Sequence, residues 1–454
     1  MRMQIRAWIS ITVFAVGGLP LMAASLFALE ARTIVFDNVR IFDGRNDALS
    51  DPKNVLVRGN TIEQISSSPI ATDRRADTVV INGGGRTLMP GLIDAHWHAA
   101  MASIPMQRAM MSDLGYVHIV AAREAEATLM RGFTTVRDAG GPTFGLKQAI
   151  DEGITPGPRI FPSGAMISQT GGHGDFRFRH EVPRTCCTEL THVEAMGVAM
   201  IADGPDEVRR RVREQLMLGA SQIKLMAGGG VSSLYDPLDV TQYSPEEFRV
   251  AVEAAENWGT YVMVHAYTPR AIRMAIEAGV RCIEHGQLAD EETARLMAEN
   301  DVWWSLQAFL DDEHANPKTG EARRKQLQVS EGTDRAFELA KRHGVRVAWG
   351  SDILFSTELP SQQGAMLAKM TRWYTPSEVI AMATSTNAEL LQLSGPRNPY
   401  PGKLGVVEEG ALADLLLVDG DPLSEIELIA NPNRNFLVIM KDGKIYKNSL
   451  NQPQ

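Results

Sequence analysis

Residues 88–98 read LMPGLIDAHWH, an apolar run that ends in two histidines separated by one residue. On an extended strand, side chains two residues apart point to the same side. The imidazoles of His96 and His98 can therefore reach a single ion. The stretch predicts a strand that carries two metal-binding side chains at its carboxyl end.

Seven more strand-like runs follow, and several are separated by amphipathic helical stretches such as residues 206–220. They are FTTVRDAG, PRIFPSG, SQIKLMAG, TYVMVHAY, VRCIEHG, VWWSLQA and VRVAWGSD. Repeated strand-then-helix units of this kind predict a (β/α)8 barrel over residues 89–395. A doubly wound sheet would also alternate, but no glycine-rich phosphate loop follows the first strand.

The flanks of the barrel region have a different texture. Residues 32–88 and 396–449 contain short strand-like runs with Gly and Asn turns between them, which is typical of antiparallel sheets. Neither flank is long enough to make a sandwich alone. The predicted fold class is therefore α/β, a TIM barrel with a small β-sandwich domain built from both chain ends.

Residues 1–29 have the pattern of an export signal. Arg2 and Arg6 precede an uncharged run, residues 7–29, which glycines and a proline interrupt before the small residues 23–25. An uncleaved anchor is the alternative, because a run of this length could just span a bilayer. We predict a periplasmic or secreted protein with no stable membrane association after signal cleavage.

The composition excludes several classes of protein. The net charge of −10 argues against a nucleic-acid partner, since little basic charge is available to neutralise phosphates. The three cysteines cannot form a disulfide framework, and the adjacent Cys186 and Cys187 rarely pair with each other because the ring is strained. The partner expected is a small-molecule substrate, and a homo-oligomer is an option that no sequence feature decides.

Ionisable residues stand at the ends of the predicted strands. They are His96, His98, Lys224, His265, His285 and Asp352. In a barrel these ends meet at one mouth, where burial without a partner would be costly and a metal ion would relieve the cost. Because a metal repels an ammonium group, Lys224 is either carbamylated to a carboxylate or a snorkelling or salt-bridged lysine.

The motifs HWH, IKLMAGGG, VHA, IEHG and GSD, in this order, resemble those of the amidohydrolase superfamily over about residues 33–445. The resemblance implies a binuclear site with two divalent metal ions, usually Zn²⁺. It places His96 and His98 on one ion and His265 and His285 on the other. It further implies that carbamylated Lys224 bridges the ions, and that Asp352 binds metal and acts as the general base.

Within the superfamily, GFTTVRDAGG, SQTGGHGD and HAYTPRAIRMAIEAGVRCIEHG are similar to the metal-dependent Xaa-Pro dipeptidase and carboxypeptidase-like branch, which includes ochratoxin-hydrolysing amidases. Tyr267 and Arg273 resemble the pair that holds a substrate α-carboxylate in that branch, and Arg270 is the alternative donor. His173, among loop glycines, suits carbonyl or carboxylate binding. An exposed helical arginine is equally compatible with a solvated face.

The predicted function is hydrolysis, by metal-activated water, of an amide or peptide bond to an amino acid with a free carboxylate. Candidate substrates are dipeptides, N-acyl amino acids and ochratoxin-type amides. The alternatives are cyclic-amide, lactone or deaminase chemistry on the same scaffold, and a non-catalytic metal-binding or ligand-binding scaffold.

Two smaller predictions concern the surroundings of the ligands. Asp94 lies two residues before His96 and could orient an imidazole, or serve as a solubilising acid at the strand end. Four apolar residues are expected to pack beneath the long loop or to line an apolar pocket. They are Phe176, Phe178, Leu354 and Phe355.

Overall fold

The computed structural model of the protein describes residues 33–72, 78–181, 189–233 and 235–450. The predicted export signal and the Cys186-Cys187 pair lie outside the described residues, so both remain predictions. Within the described ranges, no helix combines the length and the apolar character needed to cross a membrane. Cys282 is buried and free, in agreement with its position in an apolar strand.

The described residues form strands and helices in alternation over the central part of the chain. The strands are β1 Thr33–Ile41, β2 Lys53–Arg58, β3 Thr61–Ser66, β4 Thr78–Asn82, β5 Thr87–Pro90, β6 Leu92–Trp97, β7 Phe133–Asp138, β8 Arg159–Pro162, β9 Met166–Ser168, β10 Ala199–Ile201, β11 Ile223–Met226, β12 Val262–Ala266, β13 Cys282–His285, β14 Trp303–Leu306, β15 Val347–Trp349, β16 Leu415–Val418, β17 Phe436–Lys441 and β18 Lys444–Asn448. The α-helices are α1 Met106–Met111, α2 Leu114–Met130, α3 Phe144–Asp151, α4 His192–Ala195, α5 Pro205–Leu218, α6 Pro245–Glu256, α7 Pro269–Glu277, α8 Glu291–Glu299, α9 Gly320–His343, α10 Gln363–Ala368, α11 Pro376–Ala381, α12 Asn387–Leu391, α13 Glu427–Ala430 and α14 Pro432–Asn435. Short 3-10 segments at Leu359–Gln362, Lys369–Arg372 and Gln392–Arg397 and a π-helical turn at Met382–Thr386 complete the secondary structure.

The barrel predicted from the sequence is confirmed. Parallel pairing gives one sheet with the order β6-β7-β8 and another with the order β9-β11-β12-β13-β14-β15. Strand β10 is added at the edge of the second sheet, beside β9. The third barrel strand is interrupted and consists of β8 followed by β9. The amide of Ser221, just before β11, donates to the carbonyl of Pro162 at 2.7 Å, and the amide of Asp352 donates to the carbonyl of His96 at 2.9 Å. These two contacts join the sheets into a closed ring.

The barrel strands are buried from end to end because helices cover them on the outside. In β12 and β13 every residue is buried, as the near-continuous apolar runs predict. Helix α7 buries Ala271, Ile272, Ala275 and Ile276, whose spacing of three and four residues gives it one apolar face. The carboxyl ends of the strands are thereby left to face the mouth of the barrel.

The strands from both chain ends form one sheet, with the order β18-β17-β16-β5-β1-β2-β3 and β4 paired with β1. The two ends meet where β16 runs antiparallel to β5, with Leu416 opposite Met89. Along β1, residues 33–37 pair with β4 and residues 40–41 pair with β5. The predicted β domain from both ends is therefore confirmed, and β5 leads directly into the first barrel strand, β6.

Candidate metal centre

The six predicted ligands converge on one cavity of about 150 Å³ at the carboxyl ends of the barrel strands. The ligands that line it are His96, His98, Lys224, His265, His285 and Asp352. One side-chain nitrogen or oxygen from each of His96, His285 and Asp352 lies within 4.8 Å of the other two. The arrangement is therefore compact enough for side chains from three different strands to share an ion.

The segment that follows β15, the eighth strand of the barrel, approaches β6, the first strand of the barrel, very closely. A Cβ atom on Gly350 would lie 2.4 Å from the Cβ of His96 and 2.5 Å from its backbone nitrogen, so only glycine fits there. Asp352 has a φ of 53°, an unusual backbone conformation for a residue other than glycine. The GSD motif thus brings the carboxylate of Asp352 over the two histidines of the first strand.

The structure corrects both interpretations of Asp94. Its side chain is fully buried and contacts backbone and side-chain donors instead of an imidazole. It accepts hydrogen bonds from the amide of His96 at 3.0 Å, from the hydroxyl of Ser351 at 2.6 Å and from the side-chain amide of Gln363 at 2.9 Å. Asp94 therefore joins the carboxyl ends of barrel strands β6 and β15, which explains why an acid occurs inside an apolar strand.

The imidazole of His96 is oriented by Glu284, a residue that the sequence reasoning missed. Oε2 of Glu284 accepts a hydrogen bond from Nδ1 of His96 at 2.6 Å, and Arg137 donates to Oε1 at 2.7 Å. Burial favours the neutral acid, but Arg137 and His96 outweigh it and hold the pKa of Glu284 well below its usual range. The available signal was the charged residue directly before His285 in an otherwise apolar strand.

The other three histidines among the predicted ligands also have one ring nitrogen that donates to an acceptor. Nδ1 of His98 donates to the carbonyl of Gly140 at 3.0 Å, and Nδ1 of His285 donates to Oε1 of Gln307 at 2.8 Å. Nε2 of His265 donates to the carbonyl of Gly229 at 3.1 Å. Each ring therefore keeps its other nitrogen as a lone-pair donor, which is the arrangement that metal-ligating histidines require.

The protonation of these groups fits the binding of a cation. Burial lowers the pKa of His285 to about 3, and the Asp352 carboxylate opposes this only in part. Burial also lowers the pKa of His265 well below its usual range. Nε2 of His96 is buried and has no hydrogen-bond partner among the described residues. The neutral imidazoles of His265 and His285 and the unsatisfied nitrogen of His96 are suited to a divalent metal ion.

Asp352 lies among the histidines. Its Oδ1 is 3.2 Å from Nε2 of His96 and 3.3 Å from Nε2 of His98. Burial favours the neutral acid, but His96, His98 and His285 hold the pKa of Asp352 well below its usual range. The carboxylate is therefore ionised at neutral pH, and it can bind a metal ion or accept a proton.

Lys224 is only 1% exposed and lies inside the barrel mouth. Burial lowers the pKa of its amine, while Glu284 and Asp352 oppose the shift. Within the described part of the chain, no carboxylate lies at ion-pair distance from its ammonium. The snorkelling and salt-bridged alternatives therefore do not apply, because the side chain neither reaches solvent nor contacts an acid.

His173 and Tyr267 lie next to the predicted metal ligands. The ring of His173 stacks on that of His265 with a centroid distance of 3.9 Å. A Cβ atom on Gly230 would lie 1.9 Å from the His173 ring, so the last glycine of AGGG makes room for this histidine. Tyr267 is buried, and its ring centroid lies 5.2 Å from that of His285. Both side chains line the cavity, and their contact with a substrate stays a prediction.

Arg273 is not brought to the cavity. Its guanidinium lies 3.4 Å from Asp290 and 3.5 Å from Glu292, and it is absent from the described lining residues. The alternative donor, Arg270, is exposed and also absent from the lining. The physical reason is that α7 turns its apolar face toward the barrel and leaves its arginines on the outer face.

Apolar side chains form much of the cavity wall. Phe176, Leu354 and Phe355 line it, whereas Phe178 is 45% exposed and does not. A second pocket adjoins the cavity and shares Met106, Phe176 and Phe355 with it. Its other lining residues are Met101, Ala109, Met110, Val117, Pro142, Val193, Met196 and Val198. This methionine-rich side pocket has a volume of about 20 Å³, so it suits the end of an apolar group next to the predicted metal ligands.

A barrel with histidines, a buried lysine and an aspartate at its strand ends defines a class of metal-dependent hydrolases. Residues 87–446 match the model of the amidohydrolase family, and the chain belongs to that family. It is therefore a hydrolase that acts on C–N bonds of the amide type.

Several characterised proteins are similar to this chain. Ochratoxinase from Aspergillus niger is 32% identical over 384 residues, which cover 79% of this chain and 75% of that protein. The crystal structure of a prolidase complexed with N-methylphosphonate-L-proline superimposes with a TM-score of 0.83 at 35% identity, covering 92% of this chain and 100% of the other. A Xaa-Pro dipeptidase with bound methionine gives a TM-score of 0.79 at 29% identity, covering 92% of this chain and 100% of the other.

Proposed function

We propose that the protein is a binuclear metal-dependent hydrolase that cleaves the amide bond to an amino acid with a free carboxylate. The observation that carries this proposal is the convergence of four histidines, a buried lysine and an aspartate on one cavity. The similarity to a prolidase, a Xaa-Pro dipeptidase and an ochratoxinase supports the class of bond.

The ligands we assign are His96, His98, Lys224, His265, His285 and Asp352. When bound, two divalent ions such as Zn²⁺ would lower the pKa of water from about 15.7 toward 7 and polarise the scissile carbonyl. We propose that Lys224 is carbamylated, because burial lowers the pKa of its amine and favours the neutral form that reacts with CO₂. The resulting carboxylate would remove the repulsion between a lysine and a cation.

The protein's own groups would position and move the proton. Asp352 is ionised and lies beside the histidines, so it is suited to take a proton from water and return it to the leaving amine. His173 and Tyr267 line the same cavity and are placed to contact the substrate carbonyl or its neighbours. The methionine-rich side pocket would exclude water around an apolar part of the substrate.

The proposal is tested with metal-replete protein on a panel of dipeptides and N-acyl amino acids, with metal content measured on the same sample. We expect about two metal ions per chain and hydrolysis of part of the panel. Treatment with a chelator should abolish the activity, and addition of Zn²⁺ should restore it. Hydrolysis of cyclic amides or lactones alone would favour the alternative chemistry on this scaffold.

Lys224→Arg keeps the positive charge but cannot form the carbamate, so the variant should lose bound metal and activity together. Exposed Lys341, which does not line the cavity, provides the control as Lys341→Arg. Labelled bicarbonate should add a carbamate signal to the wild-type protein and none to Lys224→Arg. Full metal content in Lys224→Arg would contradict the bridging role.

A further inference from the structure

The loop between β14 and α9 contributes a cation to the cavity. Lys318 lies on this loop, lines the cavity and is half-buried. Apart from the histidines, Lys224 and Lys318 are the cationic side chains among the described lining residues. Because Lys224 is already assigned to the metal centre, Lys318 is the cation left to meet a ligand.

The other cations that contact this loop or lie on the first turns of α9 are already engaged by protein groups. Lys369 lies 2.6 Å from Asp312, and Arg323 lies 2.8 Å from Asp311. Lys325 donates to two backbone carbonyl oxygens, at 2.6 and 3.1 Å. In contrast, no carboxylate of the described residues lies at ion-pair distance from Lys318. A half-buried ammonium without an acidic partner is an unbalanced charge, and a bound anion would balance it.

The backbone of Lys318 is held against the loop that carries the catalytic aspartate. The amide of Lys318 donates to Oε1 of Gln326 at 3.1 Å, and Nε2 of Gln326 donates to the carbonyl of Asn316 at 2.9 Å. The side-chain amide of Asn316 donates in turn to the carbonyl of Leu354 at 3.3 Å. Leu354 follows Asp352 by two residues, so these contacts fix Lys318 relative to the reacting centre.

Lys318 and Asp352 line the same cavity, and their charges interact. Burial lowers the pKa of the Lys318 ammonium below its usual value, and the Asp352 carboxylate opposes the shift. The walls nearby include Phe309, Leu310 and Leu354, whose apolar side chains exclude water and strengthen interactions between charges. An anion between these walls would therefore be held by Lys318 more firmly than at an exposed site.

We propose that Lys318 binds the α-carboxylate of the amino acid released by the reaction. The inference deepens the proposed function and rests on it, because it names the group that makes a free carboxylate a requirement. It also accounts for the position of Arg273, which is paired with acids outside the cavity and is not needed for this task. A lysine is suited to the role because its ammonium donates in three directions as a compact charge.

The kinetic test compares N-benzoyl-L-phenylalanine with its C-terminal amide, N-benzoyl-L-phenylalaninamide. The wild type should prefer the acid. Lys318→Met should raise KM for the acid about 10- to 100-fold, with little change in kcat and no change for the amide. Lys318→Arg keeps the charge and should retain most of the preference, and the exposed control Lys341→Met should behave as the wild type.

A binding measurement keeps the inference testable without turnover. Calorimetry should show that L-phenylalanine binds the metal-loaded protein more tightly than L-phenylalaninamide does, and that Lys318→Met removes the difference. If no substrate is cleaved, the proposed function fails, and the calorimetry still decides the role of Lys318. If the acid is cleaved and Lys318→Met changes neither KM nor product binding, the inference on Lys318 is overturned while the hydrolase assignment stands. A KM shift in Arg273→Met instead of Lys318→Met would overturn it as well.

Discussion

Nδ1 of His96 and Oε2 of Glu284 lie 2.6 Å apart, with both side chains buried in the barrel interior. The opposite oxygen of Glu284 accepts from Arg137, which also donates to the carbonyl of Ala95 and to the hydroxyl of Tyr261. A chain of charged groups thus runs from Arg137 on β7 through Glu284 on β13 to the candidate ligand His96 on β6. Its consequence is that the orientation of His96 depends on two residues that do not line the cavity.

Glu284→Gln should weaken metal binding. The substitution preserves the shape of the side chain but removes the charge that fixes Nδ1 of His96 as the donor. Loss of such an orienting group typically costs about 10- to 100-fold in metal affinity, and a chelator competition would measure this. Glu277→Gln, on the exposed face of α7, is the matched control and should bind metal as the wild type does. Unchanged affinity in Glu284→Gln would show that packing alone holds His96.

Arg137→Met should destabilise the fold strongly. The substitution leaves the buried Glu284 carboxylate without its main cation, and breaking a buried pair costs about 3–5 kcal/mol. Denaturant unfolding of the metal-free protein would measure the loss separately from metal binding. Arg295, which pairs with Glu299 on the surface at 2.5 Å, offers the contrast, because Arg295→Met should be nearly neutral. Equal losses in the two variants would contradict this account.

Asp442 should make the stability of the protein pH-dependent. Burial raises its pKa, but Arg159, which donates to Oδ1 at 2.7 Å, more than offsets this, so the folded-state pKa is depressed. A depressed pKa stabilises the fold above the unfolded-state value and loses that contribution as pH falls through the folded-state value. The unfolding free energies of the wild type and Asp442→Asn should therefore differ at neutral pH and converge below about pH 4.

The control for this pH dependence is Asp47→Asn, since Asp47 is exposed. This variant should follow the wild type at every pH in urea unfolding. A difference between the wild type and Asp442→Asn that stayed constant with pH would show that Asp442 acts through hydrogen bonding alone. Since Arg159 belongs to β8 and Asp442 lies between β17 and β18, the measurement also reports on the contact between the barrel and the β domain.

Ala109→Phe should narrow the range of substrates. Ala109 is buried in α1 and lines the methionine-rich side pocket, so an added ring would fill space that we assign to an apolar part of the substrate. We expect kcat/KM for N-benzoyl-L-phenylalanine to fall about tenfold, with a smaller effect on N-acetyl-L-phenylalanine. The smaller substrate is the internal control for general damage to packing. Equal losses on both substrates would mean that the pocket does not receive the acyl group.

The fold was predictable because barrel strands are buried on both faces and therefore appear as apolar runs. The eight runs from residue 89 onward correspond to the barrel strands, and the interruption of the third strand between β8 and β9 is the detail that the runs did not reveal. The β domain was predictable for a related reason. Its strands appear as short runs with Gly and Asn turns between them, and neither flank alone supplies enough strands for a sandwich.

The candidate metal centre also has residues that could be predicted from the sequence and contacts that could not. His96, His98, His265, His285 and Asp352 could be found because polar residues at the ends of apolar strands stand out in the sequence. The partner of His96 could not be found, because Asp94 and Glu284 are both acids near strand ends and only their side-chain contacts separate them. The position of Arg273 outside the cavity could not be predicted for a similar reason, since helical periodicity does not show which cation reaches the cavity.

The sequence by itself determined the class of architecture, the set of candidate metal-binding side chains and the family, because these depend on residue types at strand ends. Only the tertiary structure decided that Glu284 orients His96, that Asp94 joins the first and eighth strands, and that Lys318 faces the cavity while Arg273 pairs outside it. The physical reason is that such contacts link residues far apart in the chain. Their directions are set by how the closed barrel turns each strand end and loop toward its mouth.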